Sequence, residues 1–155
     1  MKEHTYKMKI EWMAEDGLGT VNYSSYTRNH SITGIEKYDV LLASSDPAFR
    51  GDTSRYNPEE LFLSSIASCH MLWYLHLCST NGIVVTHYSD SATGIMEEDA
   101  NGSGRFKSVT LHPVITINDP DKTELAIALH NEANKMCFIA NSCNFNVHHL
   151  PEVRL

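Results

Sequence analysis

The chain has 155 residues, 42% of them hydrophobic and 20% charged, with a formal net charge of −7. That length favours one domain, with a core that buries about two-thirds of the unfolded surface. The acidic balance and the lack of a basic stripe argue against nucleic acid or an anionic membrane as partner, since both draw affinity from clustered Lys and Arg.

The opening residues, Met1 to Tyr6, hold no apolar signal core, so a cytoplasmic location is expected. Tyr6, Met8, Ile10 and Trp12 alternate with Lys7, Lys9 and Glu11, which predicts a half-buried strand. Asp16-Gly17-Leu18-Gly19 signals a turn, and Thr20 to Tyr26 reads as the returning strand. A further extended stretch covers Tyr38 to Ala43, and Ser44 to Asn57 reads as a loop.

Asn57-Pro58-Glu59-Glu60 is a helix start. Asn57 can cap, Pro58 suits the first helical position, and the two glutamates suit the positive helix end. The helix should run to about Ser79 and stop at Asn81-Gly82. Its apolar residues occupy nearly every face, which predicts a buried central element. Ser64, Ser65, Ser68, His70 and His76 interrupt the run, so it reads as a core helix and not a membrane span.

Ile83 to Met96 and Arg105 to Ile117 are two long extended runs, joined through Glu97 to Gly104 as a hairpin. A second helix should begin near Lys122, with Leu125, Leu129, Ala133 and Met136 on one face and Cys137 at or just past its end. A final short strand is expected over Asn144 to His148. The pattern is α+β, in a single domain over residues 1–155.

The four cysteines, Cys69, Cys78, Cys137 and Cys143, include no Cys-x-x-Cys pair, so no zinc knuckle is expected and no resident metal or cofactor is called for. Cys78 and Cys143 read as packing residues. Cys69 stands in the central helix, downstream of carboxylates and arginines, with Cys137 far along the chain. Those parts suit thiol peroxidase chemistry. The attacking sulfur must be a thiolate, and burial alone disfavours it. A fixed guanidinium offsets that cost and needs its own carboxylate. Candidates are Arg28, Arg50 and Arg55, with Glu59 and Glu60 at the helix start. A second thiol then condenses with the sulfenic acid, and Cys137 is the natural resolver. Glu59 and Cys69 lie ten residues apart, roughly 15 Å along a straight helix, so direct contact between them is impossible. An arginine must bridge, the helix must bend near Ser64-Ser65, or the carboxylate must serve the cysteine of another subunit.

Asn57-Pro58-Glu59-Glu60-Leu61, then Ala67-Ser68-Cys69-His70, then Cys137 followed by Asn141-Ser142, resemble the OsmC/Ohr family of osmotically inducible and organic hydroperoxide resistance proteins. The resemblance covers nearly the whole chain. It implies antiparallel sheets around a long buried helix and an intertwined homodimer with two sites at the subunit interface. It implies Cys69 as the peroxidatic residue, Cys137 as the resolving one, and Glu59 as the carboxylate that holds the arginine. Arg28 resembles the Ohr position for that arginine and Arg50 the OsmC one. His70, Trp73, Tyr74, and Phe138 after Cys137 set this chain apart as an OsmC-like side branch. The implied activity is reduction of organic hydroperoxides to alcohols, with an external dithiol or a lipoylated protein as reductant. Two rival readings are open: a redox-sensing or small-ligand-binding protein without turnover, and a cysteine hydrolase or acyl transferase served by His30, His130 or His148. His148-His149 reads as a surface pair, and Trp73 as core or as one wall of an apolar pocket.

Overall fold

The computed structural model describes residues 1–14 and 17–155. The described chain forms two compact units, Met1–Leu61 and Phe62–Leu155.

In the first unit, β1 (Met8–Glu11), β2 (His30–Gly34) and β3 (Leu41–Ala43) form an antiparallel sheet in that order. The alternation in β1 does give a strand, but it is not half-buried: Met8 and Ile10 are as open as their charged neighbours. Thr20 to Tyr26 is not the returning strand. Asn22 Oδ1 accepts from the Ser24 N–H at 2.9 Å and the Ser25 N–H reaches Asn22 O at 3.2 Å, so the segment coils on itself. Pairing with β1 starts only at Ser31. Of the turn expected over Asp16-Gly17-Leu18-Gly19, Asp16 lies outside the described residues, while Gly17 and Gly19 take φ +72° and +63°.

The loop before the long helix is fastened at both ends. The Ser44 N–H donates to Tyr56 O at 2.9 Å, and Asp46 Oδ1 caps the 3₁₀ turn Pro47–Phe49 through the Ala48 N–H at 2.7 Å. Gly51 closes this loop where a Cβ would stand 1.6 Å from the Ser45 carbonyl oxygen. Backbone cannot yield there as a side chain would. Gly51→Ala is therefore expected to cost about 3 kcal/mol, a fall of about 10 °C in Tm. An unchanged melting curve would show the loop to be free to reshape.

The helix α1 (Pro58–Thr80) starts and stops where the sequence indicates. Asn57 Oδ1 accepts from the Glu60 N–H at 2.8 Å, and Glu60 Oε2 accepts from the Asn57 N–H at 3.0 Å, a reciprocal cap. At the other end Gly82 takes φ +67° and the Ile83 N–H returns to Cys78 O. Only Ile66, His70, Tyr74 and Cys78 are buried, a single stripe at four-residue spacing. The expectation of burial on nearly every face is thus not met within one chain, where Leu72 is 60% exposed. α1 has the length and composition that a bilayer span requires, yet its buried stripe lies in a protein core.

In the second unit each long extended run is cut in two. β4 (Val85–Asp90) and β5 (Thr93–Glu98) are followed by β6 (Gly104–Leu111) and β7 (Pro113–Ile117). β5 pairs with β6 as the expected hairpin, but β4 pairs with β7 in a different sheet. The change of sheet falls at His112, whose N–H donates to Asp90 Oδ1 at 2.8 Å, just before Pro113, which has no N–H to offer a ladder. β8 (Val147–His149) adds parallel to β6, and β9 (Glu152–Arg154) parallel to β7. Both sheets are therefore mixed and not purely antiparallel.

α2 (Thr123–Met136) buries Ala126, Leu129, His130 and Ala133. Leu125 and Met136, expected on the buried face, are 37% and 43% exposed. The helix is rotated so that two small residues flank His130 on the inner face, which admits a bulky ring between them. One core gathers Tyr74, Cys78, Ile115, Ile117 and Leu129 between α1, α2 and the β4–β7–β9 sheet. Another gathers Ile66, Val109 and Leu111 between α1 and the β5–β6–β8 sheet. Residues 67–73 of α1 stand between the two cores.

Candidate active site

Cys69 lies on this middle stretch of α1, half-buried, and Cys137 caps the C-terminus of α2, fully buried. The fold brings the two thiols within hydrogen-bond reach of one another. Burial pushes the Cys137 thiol up to about 11, and its hydrogen bond to Cys69 adds to the rise. The Ala140 N–H, 3.4 Å from the Cys137 sulfur, works the other way but more weakly. Cys137 is thus an S–H donor and Cys69 the sulfur that accepts. Cys78 packs in the core, where burial raises it, and Cys143 is half-buried beside the β5–β6–β8 sheet, as expected of packing residues.

Beside the thiols lies a histidine cluster that the sequence reading did not assemble. His70 Nε2 and His130 Nδ1 share a hydrogen bond of 3.0 Å. The His130 ring stacks on Tyr74 at 3.8 Å and 14°. His149, from β8, closes the group with ring centroids 5.6 Å from His70 and 6.1 Å from His130. Burial, then His149, holds His70 down to about 4; burial, then His70 and His149, holds His130 down to about 3. His149 is lowered by burial as well. Both inner rings are neutral at physiological pH. The sequence held one signal for this: His70 shares the four-residue stripe of Ile66, Tyr74 and Cys78. His149, read as a surface residue, is in fact half-buried. Among the described residues, no three histidines, cysteines or carboxylates are arranged to hold a metal ion.

An apolar cleft of about 290 Å³ is lined by Leu72, Trp73, His76 and Phe138. Leu72 and Trp73 stand one turn beyond Cys69, and Phe138 directly follows Cys137. Trp73 meets Phe138 edge-to-face at 5.7 Å. Trp73 also packs against the core, so it is both core and wall.

The charged candidates belong to the first unit. Arg28 is spent locally: its guanidinium donates to the carbonyls of Tyr26 and Tyr23 and lies over both rings. It lines an apolar cleft of about 370 Å³ with Trp12, Tyr26, His30 and Pro58. Arg55 pairs with Asp52 at 3.5 Å. Arg50 is exposed, takes φ +68°, a conformation that favours glycine, and its guanidinium has no partner among the described residues. Glu59 Oε2 is shut off from solvent without a hydrogen-bond partner. Within the chain, then, none of the three arginines pairs with Glu59.

The OsmC-like protein family matches residues 51–149, and the chain belongs to that family. An OsmC-like protein of unknown function from Vibrio cholerae superposes with a TM-score of 0.86 at 25% identity, over 96% of this chain and 99% of that one. An organic hydroperoxide resistance protein OsmC from Legionella pneumophila gives 0.70 at 20% identity, over the whole of both chains. The organic hydroperoxide resistance protein OhrB of Bacillus subtilis gives 0.63 at 22% identity, over 97% and 98%. The last two likenesses establish the fold. No curated protein matches the chain.

Proposed function

We propose that the protein is a thiol peroxidase that reduces organic hydroperoxides to alcohols. The observation that carries this reading is the pairing of a half-exposed Cys69 with a buried, protonated Cys137 donated by a different helix. Attack on an O–O bond needs an accessible sulfur, and resolution needs a second thiol already at hand. The Cys69 thiolate attacks one peroxide oxygen. The O–O bond breaks, Cys69 becomes a sulfenic acid, and the alkoxide takes a proton to leave as the alcohol. Cys137 then attacks the Cys69 sulfur, and its proton leaves with the sulfenate oxygen as water. An external dithiol, free or carried on a lipoylated protein, reduces the disulfide and is itself oxidised. No resident cofactor enters the cycle.

The apolar cleft of Leu72, Trp73 and Phe138 suits the carbon chain or ring of an organic hydroperoxide better than hydrogen peroxide. A homodimer is supported by the apolar faces that one chain leaves open on α1 and β1. Arg50 is the cation this reading favours, because Arg28 and Arg55 are already engaged while its guanidinium is without a partner among the described residues. In the dimer it would meet Glu59, whose buried oxygen lacks a donor in the lone chain. A cycle that starts from free thiols suits a cytoplasmic protein, where thiols are kept reduced.

The reading is tested by adding one equivalent of cumene hydroperoxide to the reduced protein. One alcohol per chain and a Cys69–Cys137 disulfide, located by peptide mass, are expected. Thiols that stay reduced in a folded protein would sink the reading.

A further inference from the structure

We propose that the buried His70–His130 pair is a positioning device that sets the register in which Cys137 meets Cys69. The inference rests on the reading of those two cysteines as a resolving pair. His70 directly follows Cys69 on α1, and His130 stands on the same face of α2 as Cys137, two turns before it. The two helices therefore meet at a pair of imidazoles and, further along, at a pair of thiols. Most of the other groups between them are apolar: Tyr74, Leu129 and the small Ala126 and Ala133. Apolar contacts tolerate sliding and rotation. A 3.0 Å hydrogen bond between two fully buried rings does not, because losing it leaves two polar nitrogens dry.

The clamp is over-determined. Tyr74, one turn beyond His70, stacks on the far ring, and His149 bears on both rings from β8. Three elements converge on one imidazole pair beside the thiols. The contacts of the two rings run to one another, to Tyr74 and to His149, so we assign the histidines as positioning residues and not catalytic ones.

The property at stake is the effective concentration of one thiol toward the other, which glutathione buffers report with no peroxide present. His130→Leu keeps the bulk and removes the hydrogen bond. It is expected to lower the equilibrium constant for the Cys69–Cys137 disulfide about tenfold, a shift of about 30 mV. His130→Asn sets a polar atom where Nδ1 stands and should recover most of the loss. Leu129→Ala loosens the same helix without touching the pair and should move the constant by less than about threefold. With cumene hydroperoxide, His130→Leu should form the sulfenic acid at the natural rate and close the disulfide about tenfold more slowly, so that dimedone traps Cys69.

An unchanged constant in a folded His130→Leu, or an equal shift in Leu129→Ala, overturns the proposal. Should His130→Leu not fold, His130→Asn against His130→Gln carries the same test, because Gln places its amide where Nε2 stands. Equal constants in those two variants also overturn it. A chain that ignores cumene hydroperoxide, yet shifts its glutathione constant as described, loses the peroxidase reading and keeps this one.

Discussion

Acidification from pH 6.5 toward pH 4 is expected to remove on the order of 5 kcal/mol from the stability of the folded chain. The cause is the buried imidazole pair. In the unfolded chain both rings titrate near 6.5; in the folded one His70 waits until about 4 and His130 until about 3. Between those limits the unfolded state binds protons that the folded state refuses. Stability therefore rises with pH in this window and falls as pH drops through it. Above 6.5 both states are neutral at these rings and the linkage vanishes. The facing groups, Tyr74 and His149, include no carboxylate that could shelter a charged ring. Each ring contributes up to about 1.4 kcal/mol per pH unit, and a domain of this size holds about 5–15 kcal/mol in all. Urea unfolding at a series of pH values would measure the slope. The double variant His70→Gln, His130→Asn keeps polar atoms at the shared bond and removes both titrations, so its slope should flatten. A slope that persists in the double variant would move the acid sensitivity elsewhere.

The same cluster marks where the sequence stopped being informative. Local chemistry was legible wherever the cause was local. Asn57, Pro58 and Glu60 announced the start of α1, and Asn81-Gly82 its end, because caps are built from neighbours. The strand content of residues 83–117 was legible too, but not its division between two sheets. That division depends on a pairing between β4 and β7, which no short window contains. On α2 the expected face was half right: Leu129 and Ala133 are buried as the spacing indicates, but Leu125 and Met136 are not. Leu125 and Met136 are the larger apolar side chains, yet packing selected Ala126, Ala133 and His130, since the inner face must admit a ring stacked on Tyr74. The meeting of Cys69 with Cys137 was an expectation from chemistry that the fold supplies through tertiary contact. The histidine cluster had no such prompt: each member, taken alone, looks like a core or surface residue. The role of β1 was misread for a related reason. Its alternation is that of a strand with one covered face, and the single chain provides no cover.

Substitution of the two thiols should separate the two halves of the proposed cycle. Cys69→Ser is expected to lower hydroperoxide consumption at least about a thousand-fold, because a hydroxyl is not ionised at neutral pH and cannot attack the O–O bond. Cys137 cannot take over. It is fully buried, and with its thiol near 11 only about one molecule in ten thousand is a thiolate at pH 7. Cys137→Ser should behave differently. The first equivalent of hydroperoxide still reacts and releases one alcohol per chain, but Cys69 stays a sulfenic acid. Steady turnover with a dithiol then falls steeply, and excess hydroperoxide drives Cys69 on to the sulfinic acid, an increase of 32 mass units over the thiol in about the order the oxidation ladder sets. Cys143→Ser, which alters a half-buried thiol that donates to Ile139 O, should retain turnover. Rapid-quench measurement of alcohol beside intact-mass analysis of the protein distinguishes these outcomes. A full first turnover in Cys69→Ser would move the peroxidatic role to another sulfur. An unarrested Cys137→Ser would mean that the external thiol meets the sulfenic acid directly. The S–H contact between Cys137 and Cys69 would then serve to hold the accepting sulfur in place, and not to resolve it.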